Sequence, residues 1–72
     1  MIRYAMKHKV SKKYFAEDEG GVYLTTELYY LMDEDSVDEI LEDPDDSFYD
    51  ESTGDEIPFS DLEKVKLNIQ EI

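Results

Sequence analysis

The chain has 72 residues, twenty acidic and seven basic side chains, a net charge of −13 and no cysteine. That length fits one domain near the lower limit for a single hydrophobic core, and the lack of Cys excludes a disulfide framework or a thiolate metal site and fits a reducing cytosol. The charge opposes direct binding to nucleic acid or anionic membranes, no stretch reaches the length of a membrane span, and the basic start lacks the apolar run expected of a signal peptide.

Hydrophobic residues make up 40% of the chain, too many for the composition of a disordered segment. Residues 2–9 alternate, with Ile2, Tyr4, Met6 and His8 on one face and Arg3, Ala5, Lys7 and Lys9 on the other, which predicts a half-buried strand. A turn at 10–13 and a returning strand at Tyr14-Phe15-Ala16 complete a hairpin. Gly20-Gly21 breaks the next segment, and Val22-Tyr23-Leu24 resumes an extended reading. Residues 27–32 fit a short strand or a helical turn equally well. Asp35 or Ser36 can cap a helix whose apolar stripe is Val37, Ile40 and Leu41, and Pro44 disfavours its continuation past Asp43. The segment 43–56 is rich in loop formers and has no periodicity. Lys64 to Gln70 alternates again, with Val65, Leu67 and Ile69 expected inward and Lys66, Asn68 and Gln70 outward. The expected fold is α+β: β-β-(β)-α-loop-β, one small antiparallel sheet with the first and last strands side by side, covered by one short acidic helix, in a single domain spanning 1–72.

Charge is the strongest functional signal. From Tyr14 to Glu63 the chain carries nineteen Asp or Glu and no Lys or Arg, while five of its seven basic residues precede that run. Around the helix, Asp35–Glu39, Asp38–Glu42 and Glu39–Asp43 are like-charge pairs at i,i+4, each costing roughly 0.2–0.5 kcal/mol. Glu42 and Asp43 also sit at the end where the helix dipole disfavours negative charge, by roughly 0.3–1 kcal/mol each at low salt. A sequence shaped for stability alone would place Lys or Arg there.

Four readings account for the acids. They can be a solvated surface, or a halophilic adaptation, which the acid-free first thirteen residues oppose. They can bind a cation, but an EF-hand register starting at Asp43 puts Phe48 where Gly is needed and Gly54 where Glu is needed. The register starting at Asp45 ends properly at Glu56 but has Asp50 at the glycine position. The fourth reading is imitation of a nucleic-acid backbone, which in a duplex presents one charge per about 1.7 Å of axis. Asp33, Glu34, Asp35, Asp38, Glu39, Glu42, Asp43, Asp45 and Asp46 would form the row. Asp50, Glu51, Asp55 and Glu56 would extend it, with Phe48 and Tyr49 as apolar anchors at the interface.

In size, acidity and lack of Cys, the chain over residues 14–63 resembles the small phage-encoded nucleic-acid mimics: anti-CRISPR proteins, anti-restriction proteins and uracil-DNA-glycosylase inhibitors. The resemblance implies an inhibitor acting in the host cytosol on a basic nucleic-acid-binding protein, such as a CRISPR effector, a restriction enzyme or another DNA-binding host protein. No cofactor and no catalysis are expected, and an exposed edge strand that can pair two copies makes the expected state a monomer or weak homodimer. The alternative is a small acidic adaptor that binds a basic protein segment without displacing nucleic acid. His8 is the only His and falls at a strand end, so no catalytic triad can be assembled around it. Gly20-Gly21 lacks the Lys and helix start of a phosphate loop, and with twenty acids present a close carboxylate pair carries no information.

Overall fold

The alternating first segment is strand β1 (Ile2–His8) in a computed structural model that describes residues 1–69. β2 (Tyr14–Asp18) and β3 (Gly21–Thr25) follow as a second antiparallel pair, and the sheet closes with the last strand, β6 (Leu62–Asn68). The order is β3-β2-β1-β6, all antiparallel. β1 and β6 pair along their whole length, from Ile2↔Asn68 to His8↔Leu62, so the first and last strands are neighbours as their patterns predict. Between β3 and β6 come the helix α1 (Glu34–Leu41), two three-residue strands β4 (Ser47–Tyr49) and β5 (Glu56–Pro58) that pair with each other, and a 3-10 turn (Phe59–Asp61). β4 and the first residue of β5 lie in the segment 43–56 read as loop.

Two turns show how local chemistry sets the topology. The β1–β2 connection places Lys12 at φ 65°, and the His8 ring fastens it: the Ser11 amide donates to Nδ1 at 3.2 Å, with Ser11 Oγ 2.8 Å from the same nitrogen. Because Nδ1 accepts from that amide, the proton lies on Nε2, which is buried, makes no hydrogen bond and faces Asp61 Oδ2 at 3.7 Å. At the β2–β3 turn, Gly21 has φ 122°, and a Cβ there would lie 2.6 Å from Glu51 Cγ. Only glycine meets both demands.

Residues 27–32 are neither strand nor helix. They form an irregular connection that ends with Met32 bridged to Tyr4 through two 2.8 Å backbone hydrogen bonds. Asp33 then caps α1, its Oδ1 accepting from the Ser36 amide at 2.9 Å. The cap is therefore Asp33, not Asp35 or Ser36, and the helix starts earlier than its sequence suggests. The reason is tertiary: with Met32 held against β1, Asp33 is the first residue free to turn into the helix.

The core consists of Met6, Phe15, Leu24, Val37 and Leu62, with Tyr4, Tyr30, Ile40, Leu41, Phe48 and Phe59 packed around it. Phe48 meets Phe15 edge-on at 5.2 Å and stacks on Phe59 at 5.9 Å. Tyr29 is exposed while Tyr30 turns inward.

The alternation of β6 holds in exposure, with Val65, Leu67 and Ile69 half-buried and Lys66 and Asn68 exposed, but the half-buried set does not face the helix-covered core. Met6 pairs with Lys64 and Tyr4 with Lys66, so both lysines lie on the helix-covered side of the sheet. Val65, opposite Ala5, and Leu67, opposite Arg3, lie on the other side. Leu62 fixes this parity: it is the core residue of β6, and every second residue after it must share its face. Gln70 lies outside the described residues.

Candidate functional site

The exposed flank of α1 carries the densest charge. Val37, Ile40 and Leu41 turn inward, which leaves the polar positions of this eight-residue helix facing solvent. Asp35, Asp38, Glu39 and Glu42, together with Leu41, line an open depression of about 510 Å³. Glu34 and Asp35 occupy the first turn, where the helix dipole favours carboxylates, and no basic residue occupies the last. Asp43, Asp45 and Asp46 continue the run as exposed residues of the helix exit, with Asp46 Oδ1 accepting from the Ser47 amide at 2.9 Å.

Among the described residues, Lys64 is the one cation in ion-pair contact with this flank. Lys64 Nζ donates to Glu34 Oε2 at 3.0 Å and to Asp38 Oδ1 at 2.8 Å, and lies 5.6 Å from the Tyr4 ring centre. The hydrogen bonds to Asp38 and Glu34 raise the lysine's pKa well above its ordinary value. Partial burial, with the Glu34 charge second, pushes the Tyr4 hydroxyl up. The Ser36 hydroxyl and amide hold Asp33 below the usual carboxylate range. Because Glu34 and Asp38 share the one charge of Lys64 from β6, the like-charge pairs left without compensation are Asp35–Glu39 and Glu39–Asp43, with Asp38–Glu42 partly relieved. Sequence reasoning missed Lys64 as part of this site. The available signal was its place on the only strand that combines a core leucine with lysines of matching parity.

The β4–β5 corner departs further from expectation. Phe48, expected as an exposed anchor, is partly buried and packs against the core cluster. Asp50 is 3% exposed and is withdrawn from any surface row. Its Oδ1 accepts from the Ser52 amide at 2.9 Å and the Ser52 hydroxyl at 2.6 Å, and its own amide donates to Asp55 O at 2.8 Å. Burial pushes this carboxyl up, but the Ser52 donors, with the nearby Leu24 amide and Thr53 hydroxyl, outweigh it and leave the pKa lowered. Asp50 is therefore a structural residue that organises the corner. Tyr49 is 64% exposed, and interaction with the Glu56 carboxylate raises its hydroxyl.

Glu51, Asp55 and Glu56 are exposed but belong to this corner, where the Glu51 amide donates to Val22 O at 2.9 Å on β3. The helix lies against β1 and reaches β6 through Lys64, toward the other edge of the sheet. The fold thus groups residues 33–46 on one side and 51–56 on another, rather than in one row. Among the described residues, no group of three or more His, Cys, Asp or Glu side chains is arranged to hold a metal. No helix among them is long and apolar enough to cross a membrane. In comparisons with protein-family models, curated proteins and solved structures, nothing matches the chain, so its function must be read from its own residues.

Proposed function

We propose that this protein is a non-catalytic inhibitor that presents the acidic flank and exit of α1 to the basic nucleic-acid-binding surface of another protein, in the manner of a phosphate backbone. The target class is a bacterial defence nuclease, with a CRISPR effector foremost, where a channel rich in Arg and Lys holds nucleic acid. The observation that carries this reading is the uncompensated run Asp35, Glu39, Glu42, Asp43, Asp45 and Asp46, none of which has an ion-pair partner among the described residues. Carboxylates in that state steer association with a basic surface and form charge-assisted hydrogen bonds to Arg and Lys once docked.

The test is competition. A basic partner captured from a bacterial lysate is loaded with labelled DNA or RNA and titrated with this protein at two salt concentrations. Displacement that weakens at the higher salt is expected, and the Glu39→Lys, Glu42→Lys double variant should lose most of it. Reversal of Lys7 and Lys9, which lie on β1 and just past its end, should change it little. Simultaneous binding of protein and nucleic acid would overturn mimicry in favour of an adaptor.

A further inference from the structure

The helix, the β4–β5 pair and the 3-10 turn all pack on the sheet face that carries Met6, Phe15, Leu24 and Leu62. The register of β1 with β6 sets a second row of side chains on the opposite face: Arg3 beside Leu67, Ala5 beside Val65 and Lys7 beside Glu63. Met1 and Ile69 continue this row, joined by backbone hydrogen bonds of 2.9 and 2.8 Å. An antiparallel sheet face turned to water is ordinarily polar. Here five of the eight residues are apolar, and Met1 is 59% exposed. The charges of the row decide what can cover it. Arg3, Lys7 and Glu63 leave it close to neutral in a chain of net charge −13, with the acidic helix on the far side of the sheet. A partner of one sign would set a like charge against Lys7 or against Glu63, whereas a second copy of this chain brings both signs.

We propose that two copies of the chain associate through this β1–β6 face, sheet on sheet, about a two-fold axis that runs along the strands between β1 and β6. Each β1 then lies over β6 of the second copy, in the manner of aligned sheets. Lys7 faces Glu63 of the second copy, Ala5 faces Val65, Met1 faces Ile69, and the stem of Arg3 covers Leu67. In the square of two Lys7 and two Glu63, each charge has its opposites at the sides and its like only across the diagonal. A two-fold axis across the strands through Ala5 would instead set Arg3 on Lys7. Pairing of two β6 edges is no better, because its central registers put Lys64 or Lys66 opposite another lysine. The acidic helices end on the two outer faces. The sheets between them are about 10 Å apart, already more than the screening length of about 8 Å at about 0.15 M salt. The patch is only two strands wide, so the dimer is a weak one.

This inference does not rest on the proposed inhibition, and its failure would leave that reading standing. The test is sedimentation equilibrium of the intact chain at concentrations up to about 1 mM, which reaches weak dissociation constants. The mean mass of the wild type should climb from the monomer value toward twice that value. Lys7→Glu and Glu63→Lys, each checked for folding by its thermal melt, should each stay monomeric, since each sets two like-charged pairs across the interface. An equimolar mixture of the two variants should associate again. In the mixed dimer both facing pairs are of opposite charge, while the pair within each chain stays like-charged, so the rescue reads the interface alone. Isotope-filtered NMR on half-labelled wild type gives a second measurement that needs no variant: the methyls of Ala5 and Val65 should show contacts between chains. A wild type that stays monomeric throughout, a mixture as inert as its components, or association without those methyl contacts would overturn the proposal.

Discussion

Asp50 and Lys64 are single residues whose roles depend on distant parts of the chain. The Asp50 carboxylate gathers donors from Ser52 next to it, and lies beside the Leu24 amide of β3. Asp50→Ala removes the acceptor from those donors, of which the Leu24 amide belongs to a buried residue, and unfolding in urea should show a loss of about 1–3 kcal/mol. Asp50→Asn should recover part of it by keeping one carbonyl oxygen. Lys64→Met keeps the stem over Tyr4 but removes the cation, so it should lower the melting temperature, whereas Lys66→Met should not. The direction with pH follows from the raised Lys64 pKa. A group whose folded pKa lies above its unfolded value stabilises fully below the latter, so this contribution holds up to about pH 10 and disappears as pH rises further. The difference in melting temperature between wild type and Lys64→Met should therefore vanish in strong alkali. A constant difference would mean that the lysine acts through packing alone.

Among the elements, α1 is both the best recognised in the sequence and the one most altered by its context. Its stripe of Val37, Ile40 and Leu41 gave its existence and facing. Its start was not legible, because Asp33 becomes the cap only once Met32 is tied to β1. The pairing of β1 with β6 could be read from their shared alternation, but the facing of β6 could not. Val65, Leu67 and Ile69 are indeed half-buried, but Leu62 in the core shows that they cover the sheet face away from the helix. β4 and β5 are too short to show a period, and Asp50 reads as one more surface acid until β3 is beside it. The Lys64 clamp also changes which helix acids can be reversed safely. Glu39→Lys and Glu42→Lys together convert Asp35–Glu39, Asp38–Glu42 and Glu39–Asp43 into attractive pairs, and place positive charge at the dipole's negative end. The double variant should be more stable by about 1–2 kcal/mol, on those pair and dipole magnitudes. Asp38→Lys should do the opposite, since it sets a cation against Lys64 in place of a 2.8 Å hydrogen bond. Thermal melts of the two variants check both signs. Stabilisation by Asp38→Lys would mean that the clamp is not formed in solution.

For the whole molecule, a net charge of −13 on 72 residues opposes compactness through repulsion that no local contact removes. Among the described residues only one lysine engages the acidic helix, so most of that repulsion remains in the folded state. Two dependences follow, with different limits. Raising salt from about 0.01 M to about 0.15 M shortens the screening length from about 30 Å to about 8 Å, so the melting temperature should rise. Lowering pH from 7 toward the sequence pI of about 4.1 removes the same repulsion by protonation, and stability should again increase. This second gain reverses. Asp33 and Asp50 have lowered folded pKa values, so their contributions are present above the ordinary carboxylate pKa near 3.9 and are lost as pH falls through the lower folded values. The melting temperature at low salt should therefore pass through a maximum on the acid side of neutrality and fall below about pH 4. In Asp50→Asn, which has no carboxyl to protonate at that site, the acid limb should fall less steeply. At high salt the rise toward the maximum should flatten while the acid limb stays, because screening replaces the relief of repulsion but not the hydrogen bonds of Asp33 and Asp50. A melting temperature indifferent to salt at pH 7 would show that the acids are already compensated in the folded protein, and would remove the uncompensated flank on which the proposed interaction with a basic partner depends.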